Sequence, residues 1–215
     1  MKEAEGYYST RENSYDETQS ERWLEFSDRA KSGDATAVEP LAEIFGEDIA
    51  HFEATLAQGT ILHRVRLGFS ENANGEREAY QGVEIGPPPA EKTTDMRASK
   101  AEEVVFYGAD DETTAVAEVR PAVGYIVSVA QFEIARDVRV VDLTKQPELN
   151  PFEDESLGWF EEFYEMVETF GEQLATPLER ADDKRDYIPC QRIVAAIRTT
   201  ASYDGIRYPS AMRPD

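Results

Sequence analysis

Apolar residues recur at helical spacing at both ends of the chain, and the pattern between those ends is different. The stretch 155–175 is the clearest amphipathic helix, because apolar residues form one stripe and glutamates cover the rest of the surface. That stripe consists of Leu157, Phe160, Phe163, Tyr164, Val167, Phe170 and Leu174. A second helix is predicted over 187–199, and further helices over 20–57. Residues 1–20 show no periodicity and are expected to be a loosely docked arm.

Between these helices the apolar runs are short and rich in β-branched residues, which is typical of strands. A short helix is predicted over 112–119, because Asp110 and Asp111 offer N-caps before it and Pro121 ends it. Strands that are interrupted and flanked by helices indicate an α+β fold. The predicted strands are 60–67, 104–107, 125–132, 138–143 and 206–208.

The 215 residues suffice for one domain with an added arm. We predict a polar arm and helical segment over 1–57, followed by one domain over 58–215. The single cysteine, Cys190, cannot form a disulfide within the chain, which is typical of a reducing compartment. No apolar run suits a signal peptide or a membrane span. We therefore expect a cytoplasmic protein that does not bind membranes.

The charge balance is strongly acidic, with 44 Asp and Glu against 22 Lys and Arg, for a formal net charge of -22. A field of that sign repels phosphate backbones, so direct nucleic-acid binding is disfavoured. Lysine is scarce, with 6 residues against 16 arginines. This composition is expected of a protein from a high-salt cytoplasm, although an ordinary acidic, soluble surface explains it equally well.

Between residues 61 and 210 a series of short motifs follows in a specific order. They are ILHRVR at 61–66, GPPP at 86–89, MRAS at 96–99, VFYGA at 105–109, TTAVAEVRP at 113–121, VVDLT at 140–144, YIPCQ at 187–191 and DGIRYPS at 204–210. In order and spacing they resemble the RES domain, named for its arginine, glutamate and serine, in a variant with an N-terminal helical segment.

The resemblance implies an ADP-ribosyltransferase-like core, with a small mixed sheet and flanking helices. It also implies an enzyme that consumes NAD⁺ as its substrate and needs no cofactor. Proteins of this family are the toxins of toxin–antitoxin pairs, in which a partner with a helix-turn-helix domain holds the toxin in check. Family members are commonly oligomeric with their partner, and a homo-oligomer is one of the assemblies that the resemblance allows.

Carried over residue by residue, the family's site falls on Arg64, Arg97, Tyr107, Glu118 and Ser210. Arg66 is the near alternative for the first arginine and for contact with NAD⁺. The chain departs from the family pattern at three positions beside these residues. Met96 stands where a glycine is usual, His63 where an aromatic residue often precedes the first arginine, and Cys190 where a threonine often precedes the later glutamine.

These residue types suit cleavage of the bond between nicotinamide and ribose. Nicotinamide leaves as a neutral group, and positive charge develops on the ribose, so a carboxylate such as Glu118 would stabilise the transition state. Arg64 and Arg97 offer the donor fork that binds a pyrophosphate. Tyr107 could stack on nicotinamide or ribose, and Ser210 could donate to a phosphate or to the carboxamide.

Each residue taken alone also has a structural interpretation. One of the two strand arginines could be a solvent-facing charge, and Glu118 could pair with Arg120 at the surface. Tyr107 could belong to the core, and Ser210 could be a turn residue. Only their joint occurrence in the family's order favours a site. Two histidines and one cysteine cannot form a structural zinc site, so no metal is expected.

Three functions therefore stay open. The first is an NAD⁺ glycohydrolase or phosphorolase, with either water or phosphate as the acceptor. The second is transfer of ADP-ribose to a protein, and the third is a non-catalytic nucleotide-binding or interaction module. Two segments carry alternatives of their own. The prolines at 87–89 form either a rigid wall beside the cleft or a polyproline ligand, and the helix at 155–175 covers the core or binds a partner.

Overall fold

The computed structural model describes residues 21–38, 48–145, 157–176 and 184–212. Its helices are α1 (Glu21–Lys31), α2 (Glu112–Glu118), α3 (Leu157–Ala175) and α4 (Ile188–Ala201). Its strands are β1 (Glu53–Leu56), β2 (Ile61–Leu67), β3 (Ser70–Glu71), β4 (Arg77–Glu78), β5 (Val127–Glu133), β6 (Val138–Asp142) and β7 (Gly205–Arg207). Single turns of 3₁₀-helix cover Ala35–Val38, Asp48–Phe52, Gly82–Glu84, Ala90–Lys92 and Lys184–Tyr187.

A long antiparallel ribbon organises the fold. β1 pairs with β6 and β2 pairs with β5, and both ladders keep the same register. Leu56 faces Val138, and Ile61 faces Glu133. Ile61 lies five residues after Leu56 and Glu133 lies five residues before Val138, so the pairing is not shifted between the two ladders. Two hydrogen bonds, from Gly59 N to Ile134 O (2.8 Å) and back from Ile134 N to the carbonyl of Thr60 (2.9 Å), carry the ribbon across the interruption. The ribbon is therefore one structure with two halves.

A third strand joins only the first half of the ribbon. β7 pairs with β6 in parallel, which makes a three-stranded mixed sheet of order β1-β6-β7. The second half, β2 with β5, stays two-stranded, and α2 packs against it. β3 and β4 form a separate small hairpin. One half of the ribbon thus belongs to a sheet that helices cover, and the other half carries the loops that line a cavity.

The hydrophobic core lies between the three-stranded sheet and the helices α1, α3 and α4. Ring contacts join these elements: the centroids of Trp23 and Phe170 are 6.4 Å apart, and those of Phe52 and Phe163 are 6.0 Å apart. The core cluster consists of Trp23, Phe26, Ala30, Ala37, Ile49, Phe52, Val141, Phe163, Met166, Val167, Phe170, Leu174, Cys190, Ile193, Val194, Ile197 and Tyr203. Among the described helices, none is long and apolar enough to cross a membrane.

The α+β prediction and the N-terminal helix are confirmed. The prediction of a short helix after Asp111 is also confirmed, since the carboxylate of Asp111 accepts a hydrogen bond from Thr114 N at 2.9 Å and α2 ends beside Arg120, whose φ is +46°. The helix at 155–175 and that at 187–199 correspond to α3 and α4. Where their side chains are described, the predicted stripe residues of α3 are buried, apart from the partly buried Tyr164.

Two predicted elements are wrong. The pattern over 20–57 predicts a helix at Glu53–Leu56, but this segment forms β1, because its backbone pairs with β6 and its burial alternates. The strand predicted at 104–107 is irregular, because a strand needs successive ladder partners and only the bridge between His63 and Ala109 forms there. The predictions for 1–20 and for 39–47 lie outside the described residues.

The division into 1–57 and 58–215 stays a prediction. Two contacts bear on it: α1 packs against α4, and β1 pairs with β6. Both join residues before position 58 to the later part of the chain, so the N-terminal helical segment shares its core with the domain beyond position 58.

Candidate active site

A cavity of about 1560 Å³ lies against the ribbon. Both halves of the ribbon contribute to it, and so do the residues of the bend at 133–136. The remaining walls come from the loop at 96–98, from the segment 104–111, from α2, from residues 143–145, from α3 and α4, and from the segment that contains β7 and the residues after it. A cavity of this size is large enough for a dinucleotide-sized ligand, since ligand pockets commonly measure roughly 300–1,000 Å³.

Five of the six predicted site residues line this cavity: Arg64, Arg97, Tyr107, Glu118 and Ser210. Arg66 does not. It lines a separate shallow pocket with Leu67, Tyr80 and Val119 among others. The two arginines are two residues apart on β2, so their side chains leave the same face of the strand. They differ in the backbone carbonyl groups that each one binds, and these carbonyl groups hold the two guanidinium groups in different places.

Arg64 is held by the backbone of two loops. Its Nε donates to Ile85 O at 2.9 Å, its Nη1 donates to Tyr107 O at 2.6 Å, and its guanidinium lies 5.3 Å from the centroid of the Phe106 ring. Burial lowers the pKa of the Arg64 guanidinium below its ordinary value, and the positive charge of Arg66 acts in the same direction. Arg64 thereby joins the loop before the prolines to the segment that carries Tyr107.

Arg66 makes a similar pair of bonds further along the strand. Its Nη1 donates to Glu84 O at 2.7 Å and its Nη2 to Gly86 O at 2.9 Å. Neither strand arginine is thus a free solvent-facing charge. The prolines at 87–89, which the structure describes, do not line the cavity, so the expected wall beside the cleft is not formed by them. The loop contributes its carbonyl groups to the two arginines instead.

Arg97 lies on a loop that is closed by a bridge between Met96 and Ser99. Its Nη1 donates to Gln173 O, 2.5 Å away in the last turn of α3, and its guanidinium lies 5.5 Å from the centroid of the Tyr187 ring. A cation at the C-terminal end of a helix is favourably placed in the helix dipole. The other terminal nitrogen, Nη2, is buried and has no hydrogen-bond partner among the described residues.

The buried amide of Gln191 fixes the loop that carries Arg97. Its Nε2 donates to Met96 O at 2.8 Å and to Ser99 O at 3.1 Å. Sequence reasoning did not select Gln191 as a site residue, although it ends the YIPCQ motif. The sequence does not show which group a buried glutamine on a helix will bind. Only the tertiary structure shows that Gln191 binds the loop at 96–99.

Two tyrosines lie next to each other in the wall of the cavity. The hydroxyl of Tyr107 is 3.2 Å from Ser99 Oγ, and burial raises the pKa of the Tyr107 hydroxyl above its ordinary value. Burial raises the pKa of Tyr208 to about 12, and the neighbouring Tyr107 and Glu118 act in the same direction. Tyr208 was not selected from the sequence, and its place in the DGIRYPS motif was the available signal.

Glu118 is the last residue of α2, and its carboxylate is exposed toward the cavity. The hydroxyl of Ser210 donates a short hydrogen bond to Glu118 Oε1. Two predicted site residues that are 92 positions apart in the chain are thus in direct contact. The contact orients one oxygen of the carboxylate and leaves the other available to a ligand.

The three departures from the family pattern differ in their surroundings. Cys190 is 1% exposed, and burial raises the pKa of its thiol to about 12, so it is a core residue and not a nucleophile. Met96 is 45% exposed. His63 lines the cavity, and its Nδ1 is buried without a partner among the described residues. Within the described ranges, no three histidine, cysteine or acidic side chains are grouped to hold a metal ion.

These features define an α+β protein with a cavity that Glu118, Arg64 and Arg97 line among other charged side chains. The family model of the RES domain matches residues 61–215, so the chain belongs to the RES-domain family. This family is associated with NAD-acting toxins that pair with antitoxins. No curated protein and no solved structure gives a significant match to the chain.

Proposed function

We propose that this protein degrades NAD⁺ by releasing nicotinamide, as a glycohydrolase or phosphorolase, and that it is the toxin of a toxin–antitoxin pair. The observation that carries the proposal is the convergence of Arg64, Arg97, Tyr107, Glu118 and Ser210 on one cavity in a RES-domain chain. The residues come from separate segments of the chain, so their convergence is a property of the fold and not of sequence proximity.

The reaction breaks the bond between C1 of the nicotinamide ribose and the ring nitrogen. The electron pair of that bond goes to nicotinamide, which leaves as a neutral molecule, and positive charge develops on the ribose. The carboxylate of Glu118 stabilises this charge and accepts hydrogen bonds from the ribose hydroxyls. The acceptor then adds to C1, with water giving ADP-ribose and a proton, and with phosphate giving a phosphorylated ADP-ribose.

Arg97 is the best placed donor for the pyrophosphate of the substrate. Its Nη2 is buried and unpartnered among the described residues, and leaving such a donor unpaired costs about 1–3 kcal/mol. A phosphate oxygen would remove this cost once the loop that carries Arg97 shifts and exposes Nη2 to the cavity. Arg64, whose Nε and Nη1 donate to backbone carbonyls, supplies a second guanidinium to the lining of the same cavity. Both guanidinium groups offset the repulsion that a chain of net charge -22 exerts on an anionic substrate.

Ser210 acts on Glu118 and not on the phosphates. Its hydroxyl already donates to Oε1 of the carboxylate, so it orients the group that faces the ribose. This differs from the expectation that Ser210 donates to a phosphate or to the carboxamide. Tyr107 is held by its bond with Ser99 and offers its ring to nicotinamide or ribose.

The remaining expectations rest on the family and stay proposals. An antitoxin with a helix-turn-helix domain would hold the enzyme in check, NAD⁺ would enter as substrate with no resident cofactor, and the site of action would be the cytoplasm. The acidic composition further suggests activity at high salt, so assays should include both low and high potassium chloride.

The test is to incubate the purified protein with NAD⁺, with and without phosphate, and to separate the products by chromatography. Glu118→Gln should lower kcat about 10²–10³-fold, as the loss of one transition-state contact commonly does. Glu112→Gln is the matched control, because Glu112 lies on the same helix, is exposed and does not line the cavity. Both variants should keep the circular dichroism spectrum of the wild type.

The products decide between the three functions. Free nicotinamide with ADP-ribose or its phosphate supports the proposal and names the acceptor. Nicotinamide release accompanied by ADP-ribose on proteins of a treated lysate, detected by mass spectrometry, would support transfer to protein. Binding of NAD⁺ by the folded protein without any nicotinamide release would refute catalysis and favour the binding module.

A further inference from the structure

The helix that carries Glu118 is held at both ends by one short stretch of chain, residues 207–210. At its N-terminal side, Arg207 Nη2 lies 2.5 Å from Asp110 Oδ2, one residue before the N-cap. At its C-terminal end, Ser210 donates to Glu118. The stretch 207–210 therefore contacts α2 near both of its ends, and a shift of that helix relative to this stretch strains or breaks one of these contacts.

Arg207 is itself fixed to the packed sheet. It is the register partner of Asp142 in the parallel pair of β6 and β7, and its carbonyl accepts a hydrogen bond from Leu143 N at 2.8 Å. Its Nη1 donates to Asp142 Oδ2 at 3.1 Å. The Asp142 side chain is 1% exposed and also accepts from the backbone N–H (3.1 Å) and hydroxyl (2.5 Å) of Thr144. One guanidinium thus links a buried carboxylate in the sheet to a carboxylate beside α2.

α2 is short, and it is held by its contacts with the ribbon, by the backbone bridge between His63 and Ala109 just before it, and by the bonds at its two ends. It has 7 residues, and Ala115 is the one buried among them. A helix of this length is far below the roughly 12–15 residues that an isolated helix needs. Its position relative to the cavity therefore comes from its contacts with the ribbon and from the bonds at its two ends.

We propose that Arg207 is a positioning residue: the Asp110–Arg207–Asp142 bridge sets the place of α2, and with it the place of the Glu118 carboxylate over the substrate ribose. This inference rests on the proposed function. Arg207 and Asp110 also line the cavity, and the inference assigns to their bridge the role of placing Glu118. It makes the bridge and the Ser210 hydroxyl two parts of one support for the same carboxylate.

The geometry separates positioning from stability. The Asp110 and Arg207 side chains are 54% and 39% exposed, and exposed ion pairs contribute only about 0–1 kcal/mol to folding. Removal of the charge on Asp110 should therefore leave the protein folded. Removal of Arg207 is a poorer test, because it would leave the buried Asp142 carboxylate with the more distant Lys145, at 3.9 Å, as its cationic partner.

Asp110→Asn is accordingly the main variant, and Asp186→Asn is its matched control. Asp186 pairs with Lys31 at 2.8 Å with similar exposure of 43%, and neither residue lines the cavity. The experiment measures kcat and KM for nicotinamide release, together with amide hydrogen exchange of peptides that cover α2. We expect Asp110→Asn to lower kcat by about tenfold, because a small displacement of a catalytic group is costly.

The inference also predicts that KM stays within about twofold of the wild-type value, because Glu118 acts on the transition state and the arginines proposed to bind the phosphates stay in place. Amide hydrogen exchange in α2 should become faster, because the helix loses one of its supports. Asp186→Asn should match the wild type in all three quantities. Asp110→Glu, which retains the carboxylate, should recover part of the lost kcat. Arg207→Lys should resemble Asp110→Asn, because a lysine ammonium cannot bridge two carboxylates as a planar fork does.

The outcomes separate this inference from the proposed function. If the wild type releases no nicotinamide while Asp110→Asn still speeds exchange in α2, the proposed function fails and the bridge stands. If the wild type is active and Asp110→Asn leaves kcat unchanged, the inference is overturned, whatever the exchange shows. A rise in KM at constant kcat would also overturn it, because the bridge would then act on binding.

Discussion

The packed region and the site region of this molecule are held together by different interactions. The packed region consists of α1, α3, α4 and the three-stranded sheet, and its aromatic and aliphatic side chains form one continuous cluster. The site region runs from β2 to β5 and includes α2. Its described buried apolar residues, Val65, Ile85 and Ala115, do not belong to that cluster. Arginines that donate to loop carbonyls organise the site region instead.

This difference shows how one chain supports both stability and an open cavity. Apolar packing excludes water and leaves no space, which suits the helices and the sheet. Guanidinium groups can hold irregular loops in place through their backbone carbonyls while they stay near the surface of a cavity. The site region therefore keeps its shape without filling the space that a substrate needs. The same difference predicts where substitutions change stability and where they change the activity.

The largest effect is expected from a cavity in the packed region. Phe170 is 0% exposed and contacts Trp23, so Phe170→Ala should lower the free energy of unfolding by about 3–5 kcal/mol. Phe106→Ala is the matched change in the site region, where the ring is partly buried against Phe132 at 4.8 Å. Phe106→Ala should lower the free energy of unfolding by less than Phe170→Ala does. Urea denaturation at fixed salt measures both, and equal losses would show that the two regions form one core.

A smaller effect should distinguish the two strand arginines. Arg64→Lys removes the fork that joins Ile85 O to Tyr107 O, and should lower the free energy of unfolding by about 1–3 kcal/mol. Because Arg64 also lines the cavity, KM for NAD⁺ should rise about tenfold, the equivalent of about 1.4 kcal/mol.

Arg66→Lys is the control for that change. It removes bonds to Glu84 O and Gly86 O in a more exposed setting, and Arg66 does not line the cavity. Stability should therefore fall by less than in Arg64→Lys, and KM should stay at the wild-type value. An equal rise in KM in both variants would contradict the separation of the two arginines.

The smallest effect concerns the thiol of the packed region. Burial raises the pKa of Cys190 to about 12, so a maleimide should label it at neutral pH only when the packed region opens. Arg64→Lys, which should lower the free energy of unfolding less than Phe170→Ala does, should accelerate labelling less. Phe170→Ala should accelerate labelling in parallel with its loss of stability. Fast labelling of Arg64→Lys would show that both regions unfold together.

The periodic elements were predictable because their signals are local. The apolar stripe of α3 and the Asp111 cap of α2 are both written within a few residues, and both elements form. Glu53–Leu56 was misassigned because four residues carry too little periodicity to distinguish a strand from the end of a helix. The partner strand β6, more than 80 residues away, decides the outcome. The run at 104–107 is β-branched and aromatic but finds no ladder there.

The candidate site was predictable only as a set of residues. The order of motifs selected Arg64, Arg97 and Glu118, and the structure brings them to one cavity. It did not indicate that Arg66 serves a different pocket, since two arginines on one face of a strand look equivalent in a sequence. Gln191, Tyr208 and the bridge through Arg207 were also missed. Their partners lie on other segments, and no local pattern records them.

By itself, the sequence determined the α+β class, the main helices and the chemistry that the motifs offer, because periodicity, caps and residue types act over short distances. The tertiary structure decided which arginine lines the cavity, which carbonyl groups hold it, and how residues 207–210 contact the helix of Glu118 near both of its ends. These choices depend on the register of the ribbon and on the pairing of β7 with β6. Such contacts join residues that are distant in the chain, and only the folded chain brings them within hydrogen-bonding distance.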